Sequence, residues 1–406
     1  MTTPAFERDP YLATLAASVQ RSGVDGGRPY AVLDDTILYP EGGGQPPDHG
    51  FLGEIAVVDV QKQDAEIRHY LAAAVPEGPV SVRLDWARRF DHMQQHTGQH
   101  LLTAVAAERF GWATTSFHLG GAICDIELDV ASLATGDLDA LEEAVAAEIR
   151  AARTVTGRRV TAEEYASLPV RSRGLPEGFQ GDIRLVEIAG VDLNTCGGTH
   201  VRSTAEIESL ALLGTEAIRG GTRLHFLAGS RVRRRLHEHE ARTASLRKLL
   251  KTSDGELVPT ADARLAELLA AQKRIRSLEE ELASAAAEAM AGAPEPVTDR
   301  HFDGKDLPFL QLVARSLGKA PKLAFLTATQ GASSCFVLTA GEGVAADVQA
   351  LGREVATLLG AKGGGSARLF QGKANNLEGR GNAVERLRKA LASASASLAG
   401  TSAADG

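Results

Sequence analysis

Cysteine is scarce in this chain: three in 406 residues, Cys124, Cys196 and Cys335, at spacings that form no disulfide framework. That excludes a small cystine-stapled fold, and a cytoplasmic protein with reduced thiols is expected. No run reaches the roughly eighteen uncharged apolar residues that a membrane span requires, so no membrane partner is expected. The opening residues, MTTPAFERDPYL, lack the basic-then-apolar pattern of a secretory signal. Enzyme signatures are missing too. HExxH is absent, because Thr97 follows His96, which disfavours a zinc peptidase or amidohydrolase. The turn Gly360–Ser366 lacks the GK[ST] ending of a P-loop, so ATP-independent chemistry is expected. No Asp-His-His phosphoesterase motif occurs.

What is present begins with charge. The net charge is −8, which argues against nucleic acid as an average property. Its distribution argues the other way: residues 219–251 hold ten Lys/Arg against two acidic residues, and 353–389 hold eight against three. Such segments suit a polyphosphate backbone, or else are solvated helix faces.

The length implies two or three domains. Alternation at Ile67, His69, Leu71 and at Val80, Val82, Leu84, with Gly/Pro punctuation between, predicts a small β-barrel ending near Asp85. A helix is expected from about Asp91, as N-cap, and a second from about Asp137. Strand-like runs follow at 183–188, 207–213 and 222–227. The class is α+β. From 231 to 290 the pattern is helical, interrupted by SDGELVPT, with Leu268, Ile275 and Leu282 spaced by seven. That spacing predicts a short coiled-coil or helical-hairpin arm, which makes a homodimer possible through the arm or the C-terminal domain. A small α/β domain and a frayed low-complexity tail (ASASASLAGTSAADG) complete the chain.

Two segments concentrate chemistry. In His96-Thr-Gly-Gln-His100 a four-residue spacing on a helix brings both imidazoles to one face. In Cys196-Gly-Gly-Thr-His200 the paired glycines allow a tight turn that aims a thiolate and an imidazole together. Three nitrogens and one sulfur form a borderline-soft set suited to zinc, one ion per chain. Taken singly, either pair is more often structural than ligating. Together they reverse that balance. His92, one turn upstream, flanks the site.

The combination of Tyr39-Pro-Glu-Gly-Gly-Gly-Gln45, Met93-Gln-Gln-His-Thr-Gly-Gln-His-Leu-Leu102, Ser116-Phe-His-Leu-Gly120 and Asn194-Thr-Cys-Gly-Gly-Thr-His-Val201 resembles the alanyl-tRNA editing proteins called AlaX. These are free-standing relatives of the editing domain of alanyl-tRNA synthetase, and the tail with Gly360-Ala-Lys-Gly-Gly-Gly-Ser366 resembles their long form. The resemblance implies four parts: a barrel with the glycine motif (1–88), a zinc-binding editing domain (89–230), a helical arm (231–292) and a DHH-associated RNA-binding domain (300–395). It implies metal ligands at His96, His100, Cys196 and His200, and substrate contacts at Gly42, Gly43, Gly44 and Gln45. It also implies a pocket histidine at His118 and a serine-sensing threonine at Thr36. Glu208 follows Glu206-Ile207, where the family often has glycine.

The implied activity is zinc-dependent hydrolysis of alanine tRNA mischarged with serine or glycine. With the editing module starting so early, no class II catalytic domain precedes it, and the chain is not expected to charge tRNA. Glu41 and Asp48, the nearest carboxylates in sequence, are expected at the turn surface. A non-catalytic, structural-zinc tRNA-binding module is the competing reading.

Overall fold

The computed structural model describes residues 3–63, 66–171 and 181–402. The chain divides into two compact units, Met1–Leu246 and Arg247–Gly406.

In the first unit a short helix, α1 (Ala5–Arg8), precedes six strands: β1 (Thr14–Asp25), β2 (Arg28–Leu33), β3 (Gly50–Leu52), β4 (Ile55–Gln63), β5 (Glu66–Leu71) and β6 (Gly78–Leu84). They close into an antiparallel barrel in the order β1-β2-β5-β4-β3-β6. Period-two burial is plain in β6, where Val82 and Leu84 point inward while Ser81 and Arg83 are exposed. The barrel core gathers Val19, Ala31, Ile37, Leu38, Leu52, Val57 and Val60.

The polypeptide then enters α2 (Trp86–Phe110), β7 (Thr114–His118), β8 (Cys124–Leu128), α3 (Thr135–Arg150), β9 (Val155–Val160) and α4 (Ala162–Ser167). β10 (Ile183–Ile188), β11 (Asp192–Thr195), β12 (Leu210–Ile218), β13 (Gly221–Ala228) and α5 (Ser230–Leu250) follow. Two sheets result, with orders β12-β13-β8-β7 and β11-β10-β9. Helix α2 buries Met93, Leu101, Leu102 and Val105 against Ile126, Leu224 and Phe226 of the larger sheet and Leu141 and Val145 of α3. Each such side chain contributes roughly 1.5–3 kcal/mol by leaving water. Gly98, mid-helix, lets α2 close on the sheet: a Cβ there would sit 3.0 Å from that of Ala228.

Several boundaries differ from the sequence reading. Helix α2 starts five residues before Asp91; Asp85 caps it by accepting the Arg88 amide (3.1 Å), and Asp91 instead binds Arg231. The run at 207–213 is split, its first residue closing a 3₁₀ turn (Thr204–Ile207) before β12 begins at Leu210. Glu208, between them, has φ +63°. That left-handed backbone explains why glycine suits this place.

In the second unit α6 (Leu257–Ala291) precedes β14 (Val297–Asp303), α7 (Leu307–Leu317), β15 (Leu323–Gln330) and β16 (Ser333–Ala340). Then come α8 (Val348–Leu358), β17 (Lys362–Ser366), β18 (Leu369–Ala374) and α9 (Arg380–Ser402). The sheet order is β14-β15-β16-β18-β17, with β14 and β15 parallel across α7. The break expected at SDGELVPT is shorter than its residues suggested. Pro259 falls in the first turn of α6, where its missing N–H breaks no helical hydrogen bond. The heptad residues Leu268, Ile275 and Leu282 are all about half exposed (54%, 58% and 49%), so the described residues of the second unit leave the seam uncovered. The tail expected to fray is helical through Ser402 in α9, and residues 403–406 lie outside the described residues. No helix among the described residues is long and apolar enough to cross a membrane.

Candidate metal centre

Helix α2 and the turn after β11 bring His96, His100, Cys196 and His200 together, with one ligand atom from each lying within 4.8 Å of all the others. Cys196 Sγ is 3.4 Å from His96 Nε2 and 3.2 Å from His200 Nε2. The three imidazoles are nearly fully buried (1%, 6% and 6% exposed), so their polar atoms depend on protein partners.

Those partners orient each ring. The Thr199 amide can only donate, so the Gln45 atom 3.0 Å from it is Oε1, and His96 Nδ1, 2.9 Å from that oxygen, must donate too. His100 Nδ1 faces Asp192 Oδ2 at 3.1 Å. His200 Nδ1 lies 3.1 Å from Thr97 Oγ1, which also accepts the Val201 amide (3.2 Å). With Nδ1 held outward on all three rings, Nε2 of each is turned toward the thiol. Metal-binding histidines have this outer support as a rule.

The turn geometry has equally local causes. Arg184 Nη1 donates to the carbonyls of Cys196 (2.7 Å) and Gly198 (2.8 Å), clamping the turn from beneath. A side chain at Gly198 would overlap the His96 ring and come within 2.8 Å of Gln45 Oε1. Across the site, Gly42 and Gln45 close a tight turn through paired backbone bonds (3.2 and 3.0 Å), with Gly43 and Gly44 at φ +56° and +80°. A Cβ at Gly44 would meet the Phe117 ring at 2.8 Å, and that ring lies 6.4 Å from His96. The glycine turn is thus seated beside the tetrad.

Burial would by itself raise the Cys196 thiol, but the surrounding His96, His200 and His100 outweigh it and hold the thiol well below its ordinary range. Burial also opposes protonation of His100, yet the Cys196 thiolate and Asp192 push it up to about 10. His200, dominated by burial, falls to about 3. A buried thiolate that recruits a proton onto a neighbouring imidazole is a site short of positive charge. The donor set fits a borderline-soft divalent cation such as zinc: one thiolate and three Nε2 atoms, in a pocket favouring the anion.

The remaining residues need separate accounts. Gln45, expected on the substrate, is fully buried with both ends of its amide engaged, since Nε2 also donates to Thr199 Oγ1 (2.9 Å). It positions His96. His118, expected in the pocket, does not join the tetrad. Successive strand residues face opposite sides, and Phe117 takes the inward place while His118 binds Asp125 (2.9 Å) on the exposed face. His92 is buried, pushed down to about 4 mainly by burial, and lies outside the tetrad. Asp48 is not at the surface: it is fully buried and holds Arg89, while exposed Glu41 accepts from Gln61 (2.8 Å). Thr36 Oγ1 accepts the Leu38 amide (3.0 Å) and lies 2.8 Å from His69 Nε2. The other His69 nitrogen faces the Ala31 carbonyl (3.2 Å) and must donate, so the Thr36 hydroxyl donates to Nε2.

Asp192, Thr97 and Arg184 escaped the sequence reading because each acts through a contact distant in the chain. Only the "HxxxH needs an outer acceptor" rule could have prompted a search for Asp192. Asp192→Ala is expected to weaken metal retention by about 10–100-fold, the usual effect of losing an outer partner. Competition with a chromogenic chelator measures it, and unaltered affinity would show that Asp192 is not orienting His100.

Residues 183–224 match the family model described as the threonyl and alanyl tRNA synthetase second additional domain. Over 362 residues the chain is 40% identical to "Alanyl-tRNA editing protein Aarsd1" of Danio rerio, covering 88% of this chain and 87% of that protein. It is 30% identical over 394 residues to "Alanyl-tRNA editing protein AlaX-L" of Pyrococcus horikoshii, covering 92% and 95%. A match at 32% to "Alanine--tRNA ligase" of Ignicoccus hospitalis covers 90% of this chain but 40% of the ligase.

Proposed function

Because the chain belongs to the family of alanyl-tRNA editing proteins, we propose that it hydrolyses the ester of alanine tRNA mischarged with serine or glycine, with zinc in the tetrad. The observation that carries this reading is the convergence of the four donor atoms beside the glycine turn. A zinc ion held by His96, His100, Cys196 and His200 would supply Lewis acidity toward the ester or the amino group beside it. The chain's own residues do the rest. Asp192, Gln45 and Thr97 hold the imidazoles, and the bare backbone of Gly42, Gly43 and Gly44 lets the terminal adenosine approach. In the overall reaction the water oxygen bonds to the acyl carbon and the ribose oxygen leaves with a proton.

Four segments divide the labour in this proposal. Residues 1–88 and 89–230 serve the ester, while 231–292 and 300–395 serve the RNA. The exposed seam on α6 is assigned to pairing with a second copy, which light scattering checks.

The test is a deacylation assay on seryl-, glycyl- and alanyl-tRNA(Ala), using zinc-depleted and zinc-restored protein. Loss and recovery of seryl or glycyl hydrolysis with zinc is the expected result. The competing reading, a structural-zinc binding module, is favoured by the four-donor set, since four protein donors are what structural zinc sites use. Binding of tRNA without hydrolysis in either state would establish it.

Selectivity constrains Thr36. Alanine is smaller than serine, so a pocket must reject it by leaving a polar group unpaired, at about 1–3 kcal/mol. The Thr36 proton is committed to His69, so its remaining lone pair can only accept, and the serine hydroxyl must donate. Thr36→Val is expected to lower kcat/KM for the seryl ester by about ten-fold or more relative to the alanyl ester, with Thr36→Ser restoring it. Equal losses on both esters would move the discriminator elsewhere.

A further inference from the structure

The basic segment around Arg231 is not uniform, and the structure separates its charges. Arg231 is buried and spent: Nη2 binds Asp91 at 2.7 Å and Nη1 binds the Gly120 carbonyl at 2.6 Å. Arg233 pairs with Glu208, and Arg223 with Glu127 (2.7 Å). Arg234 and Arg235 have no ion-pair or hydrogen-bond partner among the described residues. Both line a cavity of about 300 Å³ with Gly121, Ala122, Ile123 and one acid, Glu238.

The loop opposite them is also a donor surface. The backbone N–H groups of Gly121, Ala122 and Ile123 have no hydrogen-bond partner among the described residues. Ile123 is 38% exposed beside them, one of few large apolar side chains at the surface of the first unit. Arg231 fixes this loop to the start of α5 through Gly120. The same corner is tied to α2, the helix that carries His96 and His100: Gln94 Oε1 accepts the Ser230 amide (3.1 Å), and Gln95 bonds both backbone groups of Ala228 (2.8 and 2.9 Å).

We infer that Arg234, Arg235 and the 121–123 backbone form a phosphate-binding site for the single-stranded end of the substrate RNA. Guanidinium groups and unpaired backbone N–H groups among the residues lining one cavity suit an anion with several acceptor oxygens. The exposed apolar side chain of Ile123 suits the ribose or base between successive phosphates. The site lies one helical turn into α5 from Ser230, whose amide is held by the residue two before His96. The site and the two α2 histidines are thus joined through one helix. This inference rests on the proposed RNA substrate.

The test measures binding of uncharged tRNA by fluorescence anisotropy over a salt series, with the full-length protein. Wild type is compared with Arg234→Gln/Arg235→Gln and with Arg242→Gln/Lys248→Gln, all on α5. The first pair is expected to weaken binding about ten-fold and to lower the salt slope by about 1.4, two single-strand phosphates at about 0.7 each. Trimming the single-stranded 3′ end from the tRNA should abolish that difference, whereas any loss in the second pair, which lies elsewhere on the arm assigned to the RNA, should persist after trimming. A loss in the first pair that also persists after trimming would reduce the site to a general field, and unchanged affinity in the first pair would overturn it. Wild type that binds no tRNA would refute the functional reading instead.

Discussion

Cys196→Ala is expected to leave the protein folded, largely free of zinc, and without detectable deacylation of mischarged alanine tRNA. The substitution removes the single anionic donor from a set whose other members are neutral imidazoles once a cation is bound. It also removes the charge that pushes His100 up to about 10. The loss of metal affinity should exceed the roughly 10–100-fold typical of outer partners, because a donor itself is gone. His100→Ala should behave alike. Cys335→Ala is the matched control, since that thiol is buried in the sheet of the second unit, remote in sequence from every donor. Atomic absorption after gel filtration reads the metal, and circular dichroism reads the fold. A variant at Cys196 that retains stoichiometric zinc and full activity would remove the tetrad from the mechanism. Folding that survives while activity vanishes separates a catalytic role from a structural one.

Asp48→Ala is expected to produce the largest loss of stability in the first unit. Arg89 is fully buried, and its guanidinium donates to Asp48, to the Ile37 carbonyl (2.6 Å) and to the Pro10 carbonyl (2.8 Å). Asp48 in turn accepts the Tyr39 amide at 2.7 Å, ahead of the glycine turn. The pair therefore ties the barrel loop to the first turns of α2, the helix that carries His96 and His100. Removing the carboxylate strands a buried charge, at about 3–5 kcal/mol. For a unit of this size that corresponds to a melting temperature lower by roughly 10 °C. The double replacement Asp48→Leu/Arg89→Met should recover much of the loss, because an apolar pair of similar volume does not need the ionic partner. A single variant melting within about 2 °C of wild type would mean that water reaches Arg89 and that the pair is not a tie. If the tie also sets the approach of the glycine turn, the double variant will regain stability but not full deacylation.

The donor residues were legible in the sequence because their chemistry is local. Four residues on a helix bring His96 and His100 to one face, and two glycines between Cys196 and Thr199 allow the tight turn that aims Cys196 and His200 together. The barrel was legible for the same reason: alternation in β5 and β6 is a property of each strand alone. Tertiary structure decided what depends on residues far apart in the chain. Asp192 meets His100 from 92 positions away, Gln45 meets His96 from 51, and Asp48 meets Arg89 from 41. No periodicity encodes such meetings. The facing of β7 was likewise invisible, since a strand one residue out of register exchanges every inward and outward side chain. Packing against His96 gave the inner place to Phe117 and turned His118 to the exposed face. The start of α2 moved for an energetic reason of the same kind. Asp91 could have capped a helix, but Arg231, 140 residues away, holds it in an ion pair, and Asp85 caps the helix instead. The donors' identities are thus written in short segments, while their orientation, their support and the stability of the frame arise only when those segments meet.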